Sequence, residues 1–230
     1  MTEHSLGTSA GRTAVAPHSW STTLAAMAVM LGYGGALGAE KTAIADKTLV
    51  AWVAPANLTQ RGGSVLTLEK SGGVFDAIVF GEIAEAKWMA GSNGFVRTKR
   101  EQETFPAETA DSKSLVQIAV VYQGPQITIY RNGGKYAEYT TKGAEQFGGE
   151  SLVVMGLRHL EANPDNRFFT GCIEDARIYG AALSAEQIAA LQPNQPSEPQ
   201  PLAWWDFEDG RAADRMKLFP TSTIDRKSVV

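Results

Sequence analysis

From Thr48 onward the chain alternates apolar and polar residues in short runs, each closed by glycine or proline. A period of two sends successive side chains to opposite faces of an extended strand, giving each run a core face and a solvent face. Residues 48–53 stop before Pro55, residues 64–69 and 74–80 are parted by Ser71-Gly72-Gly73, and residues 115–122 end at Gly124-Pro125. Proline has no N–H for a ladder, and glycine takes up turn conformations at little steric cost, so both end strands. The strongest local signal is residues 126–131 and 135–140 on either side of Asn132-Gly133-Gly134, which predicts a β-hairpin. A second hairpin is expected from residues 87–90 and 95–98 across Gly91-Ser-Asn-Gly94. Residues 151–155 and 168–179 add further strands, and residues 99–113 read as loop. The most apolar run, 115–122, belongs at a sheet centre. Many short strands with almost no helical period predict an all-β, two-sheet antiparallel sandwich.

One helix signal comes late. Leu183-Ser184-Ala-Glu-Gln187-Ile188 combines a capping box, in which Ser184 and Gln187 bond reciprocally, with a staple of Leu183 on Ile188; Pro193 ends it. The following stretch, residues 193–201, holds four prolines and has the composition of a stiff linker. Residues 202–230, opening Leu202-Ala-Trp-Trp-Asp-Phe207, are too few to bury a second core. They read as an extra strand or as the truncated start of a following domain. At the other end, residues 1–39 have the layout of an export signal. An apolar run begins at Leu24, and Ala36, Gly38 and Ala39 offer cleavage positions. The run is short and glycine-rich for a membrane span, which wants ~20 residues. The sandwich is therefore expected over residues 40–192, secreted or periplasmic, with no membrane attachment after signal cleavage.

Composition narrows the function classes. The net charge of -4 leaves no basic face of the kind nucleic acid requires, and Arg97-Thr98-Lys99-Arg100 reads as a solvated loop. The single cysteine, Cys172, permits neither an intrachain disulfide nor a cysteine-based metal site, and in its apolar run it reads as a small buried hydrophobe.

Phe169-Thr-Gly-Cys-Ile-Glu-Asp-Ala-Arg-Ile-Tyr179, followed by Ala182-Leu-Ser-Ala-Glu-Gln-Ile188, resembles the closing strand and helix of laminin-G-like domains of the concanavalin type. Leu49-Val-Ala-Trp-Val-Ala-Pro-Ala-Asn57 is similar to that family's opening strand, and Tyr130-Arg-Asn-Gly133 to its hairpin. The resemblance implies a two-sheet jelly roll with one short C-terminal helix, commonly binding carbohydrate or protein beside a catalytic domain. Including Pro201-Leu-Ala-Trp-Trp-Asp-Phe-Glu-Asp-Gly210, the arrangement also resembles the N-terminal accessory module of bacterial glycoside hydrolase family 32 proteins of the levanase and invertase type. The implied partner is a carbohydrate, fructan in the first instance, or an adjacent catalytic domain. Enzyme status stays open, with a family 32 fragment lacking its catalytic domain as one reading.

No catalytic constellation stands out. Trp88-Met-Ala-Gly-Ser-Asn-Gly94 echoes the nucleophile motif of that hydrolase family, but Gly91 occupies the aspartate position, and without a carboxylate no glycosyl-enzyme forms. Glu174 and Asp175 are adjacent on a strand and face opposite ways. Glu82-Ile-Ala-Glu85 has glycosidase-like spacing, yet residues three apart on a strand also diverge, so it reads as solvent-facing loop.

Sugar recognition needs an aromatic platform with converging polar groups, because sugar rings present C–H faces edged by hydroxyls. Trp88, Phe95, Arg97, Arg158 and His159 lie at expected strand ends or loops and are the candidate carbohydrate-binding residues. For Trp88 and Phe95 the competing reading is core. No metal site is defined. Asn163, Asp165 and Asn166 gather oxygen donors that would suit Ca2+, without a calcium-loop spacing. The functional reading is a secreted, non-catalytic, carbohydrate-associated module. A domain-docking sandwich without sugar binding is the alternative, and a glycoside hydrolase in its own right is the third.

Overall fold

The alternating runs fold into strands in a computed structural model that describes residues 28–31, 43–163, 167–208, 211–221 and 223–225. In chain order these are β1 (Ala28–Leu31), β2 (Lys47–Pro55), β3 (Gly63–Lys70), β4 (Val74–Phe80), β5 (Trp88–Ser92), β6 (Val116–Gln123), β7 (Gln126–Arg131), β8 (Gly134–Thr140), β9 (Leu152–Met155), β10 (Gly171–Tyr179), β11 (Ala203–Trp205) and β12 (Thr223–Asp225). They form two six-stranded antiparallel sheets, β12-β1-β9-β3-β4-β5 and β11-β10-β2-β6-β7-β8. One face of each sheet supplies the shared core: Leu66, Leu68, Ile78, Phe80 and Trp88 from the first, and Leu49, Ala51, Val53, Ile118, Val120, Ile127 and Ile129 from the second. This is the two-sheet jelly roll expected from the sequence.

The hairpin β7–β8 turns at Asn132 and Gly133, both at positive φ, so only two residues connect the strands. The helix α1 (Ala185–Ala190) has its full capping box, with Ser184 Oγ accepting from the amide of Gln187 and Gln187 Oε1 accepting from that of Ser184. Leu183, Ile188 and Leu191 cover Val50, Trp52, Ala119 and Val121 on the outer face of the second sheet. β2 and β6 are accordingly apolar on both faces, which explains why residues 115–122 read as the most apolar run.

The proline-rich stretch after α1 lies against the sandwich. Asp175, fully buried on β10, accepts from Arg177, from the backbone N–H of Asn194 and from Trp204 Nε1, while Arg177 lies between the rings of Trp52 and Trp204. β11 pairs with β10, and Trp205, Ala212 and Phe219 enter the main core. Asp214 ties that return together, accepting the backbone N–H groups of Trp204, Met216, Leu218 and Phe219. β1 falls within the stretch read as an export signal and pairs with β9 and β12. The expected cleavage positions lie outside the described residues.

The second expected hairpin does not form. β5 runs on through Gly91 to Ser92, a one-turn 3-10 helix occupies Asn93–Phe95, and no strand follows. Arg97 folds back instead, its Nε donating to Asp76 at 2.8 Å and Nη2 to the Phe75 carbonyl at 2.9 Å, which turns the chain away from β5. Residues 99–110 then close one side of the sandwich. Phe105 meets Tyr136 edge-on, and Glu108 bonds Arg131.

Candidate functional site

The two outer faces of the sandwich are unequal. Among the described residues, that of the second sheet carries α1 and the returning chain, whereas that of the first is overlaid by loops and the one-turn 3-10 helix. Phe75, Ala77 and Val79 of β4 with Met89 of β5 form an apolar cluster on this face, and Ile83 and Phe95 pack onto it. Four of the five sequence-predicted residues gather over this cluster or at its rim.

His159 stacks on Phe75, with ring centroids 4.6 Å apart and planes within 16°. Burial, and after it the charge of Arg158, pushes its pKa down, so the ring is held neutral. Arg158 forms an ion pair with Glu82, and its carbonyl accepts from Thr67 Oγ1 at 2.7 Å. Burial raises the Glu82 carboxyl and the Arg158 charge opposes that rise. The next amide, of Leu160, donates to Glu69, whose carboxyl is likewise raised by burial. The segment bearing Arg158 and His159 is thus fixed to the sheet at successive residues.

Across the face, Phe95 sits at φ +60° directly after Gly94 at φ +57°, half-buried on the cluster, with the Arg100 guanidinium 4.8 Å from its ring centroid. Arg97 is buried beneath and spends its donors on Asp76, Phe75 and Asn93. It is a support for the loop, with no guanidinium free for a ligand.

Trp88 requires a correction. It is 0% exposed, points between the sheets, packs on Phe80 and Phe169, and donates Nε1 to Glu108 at 2.8 Å. A ring so placed offers no platform to a sugar, and the core reading holds. Asn163 is exposed, while Asp165 and Asn166 lie outside the described residues. Among the described residues no group of three or more His, Cys, Asp or Glu could hold a metal ion.

The acidic pairs are engaged in structure. Both oxygens of Asp175 are bonded by Arg177, and Glu174 accepts from Asn194. Glu82, read as solvent-facing, is partly buried against Arg158, while Glu85 is exposed. At Gly91 a Cβ would lie 2.4 Å from Val79 Cγ2, so this strand position excludes an aspartate side chain as well as lacking one. Cys172 is exposed, contrary to the buried reading. Sequence reasoning missed Phe75 and Glu69. The signal for Phe75 was present, since Phe75, Ala77 and Val79 make the second face of residues 74–80 apolar too, as in a strand covered on its outer side; Glu69 carried none.

Among the described residues no helix is long and apolar enough to cross a membrane. Residues 34–189 match the family described as the concanavalin A-like lectin/glucanases superfamily. No curated protein sequence matches the chain. Among solved structures, a "putative carbohydrate binding protein" from Bacteroides ovatus superposes with a TM-score of 0.59 at 13% identity, over 88% of this chain and 59% of that one. Domain 4 of the extracellular arabinanase AbnA from Geobacillus stearothermophilus, in complex with arabinotriose, gives 0.48 at 17% identity, over 64% of this chain and 66% of that one. The Ruminococcus gnavus IT-sialidase CBM40 bound to α2,3-sialyllactose gives 0.42 at 13%, over 64% and 83%. At 13% identity the likeness to the Bacteroides ovatus protein is one of fold alone.

Proposed function

The chain belongs to the concanavalin A-like lectin/glucanases superfamily, and on that footing we propose that it is a non-catalytic carbohydrate-binding module. One observation carries the reading. The outer face left open by α1 is the face on which Phe95, Arg158, His159 and Glu82 are assembled, aromatic surface beside fixed polar groups. That combination suits a ring with apolar C–H faces and hydroxyl edges. The carboxylates at this face have structural partners, Glu82 with Arg158 and Glu69 with the Leu160 amide, which supports a binding role over a catalytic one.

Within this reading, the resemblance to levanase- and invertase-type proteins supports fructan as a ligand class, a catalytic domain as neighbour and an exported location. Ca2+ belongs in the test as an optional cofactor, given the oxygen donors at Asn163, Asp165 and Asn166. A docking function is the second reading, favoured by the exposed Val96 and Leu160 beside the same face. Affinity electrophoresis of the full chain in levan, inulin, arabinan and acidic polysaccharides, with and without Ca2+, separates the two. Retardation that is lost in Phe95→Ala or His159→Ala variants with unchanged melting supports the module. A folded protein that no glycan retards leaves docking.

A further inference from the structure

We propose that residues 93–100 form a preorganised subsite for an anionic group on a glycan, a carboxylate or a sulfate, with Arg100 as its contact and Arg97 as the residue that positions it. The inference rests on the carbohydrate reading and departs from its fructan arm, because fructans carry no anion.

The three cations of this short run have different fates. Arg97 is buried and paired with both Asp76, at 2.8 Å, and Glu145, at 3.6 Å, while Asp76 also pairs with Lys47 at 2.9 Å. Lys99 is matched by Glu101 at 3.3 Å. Arg100 is exposed, lies over the Phe95 ring, and makes no ion pair among the described residues. A guanidinium held over a ring by a cation-π contact does not use its N–H donors in that contact, and its fork matches the oxygens of a carboxylate or sulfate. An unstacked surface arginine would lose more side-chain freedom on binding.

The ring beneath is itself fixed. A bulky residue at φ +60° is strained and persists only where its surroundings hold it. Here they do: the Arg97 amide donates to Ser92 Oγ, its guanidinium bonds Asp76, Phe75 and Asn93, and the Thr98 amide donates to the Phe95 carbonyl. A plain hairpin across Gly91–Gly94 would have served the sheet without that strain. The chain instead spends a buried charge network on holding one aromatic ring and one unpaired guanidinium at the rim of the open face.

Isothermal titration of the full chain with polygalacturonate oligomers (carboxylate), carrageenan oligomers (sulfate) and levan (neutral) tests this. Binding of at least one anionic ligand is expected, weakening with salt and falling about tenfold or more in Arg100→Gln, as loss of a charge-assisted bond implies. Which anion binds identifies the source of the charge. Arg97→Lys is expected to lose anionic affinity while keeping any binding of levan; if that variant does not fold, Arg100→Gln decides alone. Anionic binding undiminished in Arg100→Gln overturns the inference. Binding of levan alone also overturns it and leaves the carbohydrate reading standing, whereas binding of no glycan removes both.

Discussion

The indole N–H of Trp88 donates to Glu108 at 2.8 Å inside the sandwich, and Arg131 grips the same carboxylate from the opposite sheet. A loop residue therefore joins β5 to β7 across one open side of the core. Burial pushes this carboxyl up, but the bonds from Arg131, from Trp88 and from the backbone N–H groups of Ala110 and Thr109 outweigh it and hold the pKa at about 2.

Because the folded pKa is depressed, the stabilisation is present above the ordinary value of 4.5 and is lost as pH falls from there through about 2. A shift of this size is linked to roughly 3 kcal/mol. Glu108→Gln is expected to lower the unfolding free energy by about that amount at neutral pH, with the gap from wild type narrowing below pH ~5. Urea unfolding of both proteins at pH 7 and pH 3 checks this. A gap that does not change with pH contradicts it.

Gly91 faces Val79 with no room for a Cβ, and Val79 is buried and β-branched, hence stiff at χ1. Gly91→Ala is expected to cost about 1–3 kcal/mol through overpacking. Gly91→Asp, which restores only the aspartate of the hydrolase motif, adds a buried carboxylate without a partner and is expected to abolish cooperative folding. Thermal melts followed by circular dichroism decide. A Gly91→Asp protein melting like wild type would show that β5 is not packed as described.

The returning chain belongs to the fold. Ending the protein after Gln192 removes Trp205 and Phe219 from the core and leaves Asp175 and Arg177 with each other but without Asn194 and Trp204. Loss of a buried Trp alone costs about 3–5 kcal/mol, comparable to a small domain's whole stability. The truncated chain is expected to be rapidly proteolysed under conditions that spare the full one. Equal resistance would mean that residues 193–221 are dispensable.

Much of this architecture was legible because alternation, turn residues and the capping box are local signals. The β7–β8 hairpin and α1 lie within a residue or two of where the sequence placed them. What escaped was non-local. The bond between Arg97 and Asp76 spans 21 residues and replaces a hairpin that the local pattern favoured. The fixing of residues 193–201 depends on Asp175 and Arg177, which a composition argument about proline does not see. At the candidate site, Arg158 and His159 were found as polar loop residues. Their footing on Glu82, Thr67 and Phe75 comes from residues 76 or more positions earlier in the chain.

The central claim is that a glycan binds the loop-covered outer face of the first sheet. Amide chemical-shift mapping of the labelled chain, titrated with whichever glycan retards it, tests this most directly. Shifts are expected to concentrate at Phe95, Arg97, His159 and Leu160, with those of β7, β8 and α1 unmoved. Shifts confined to the face under α1, or none at saturating glycan, would contradict it.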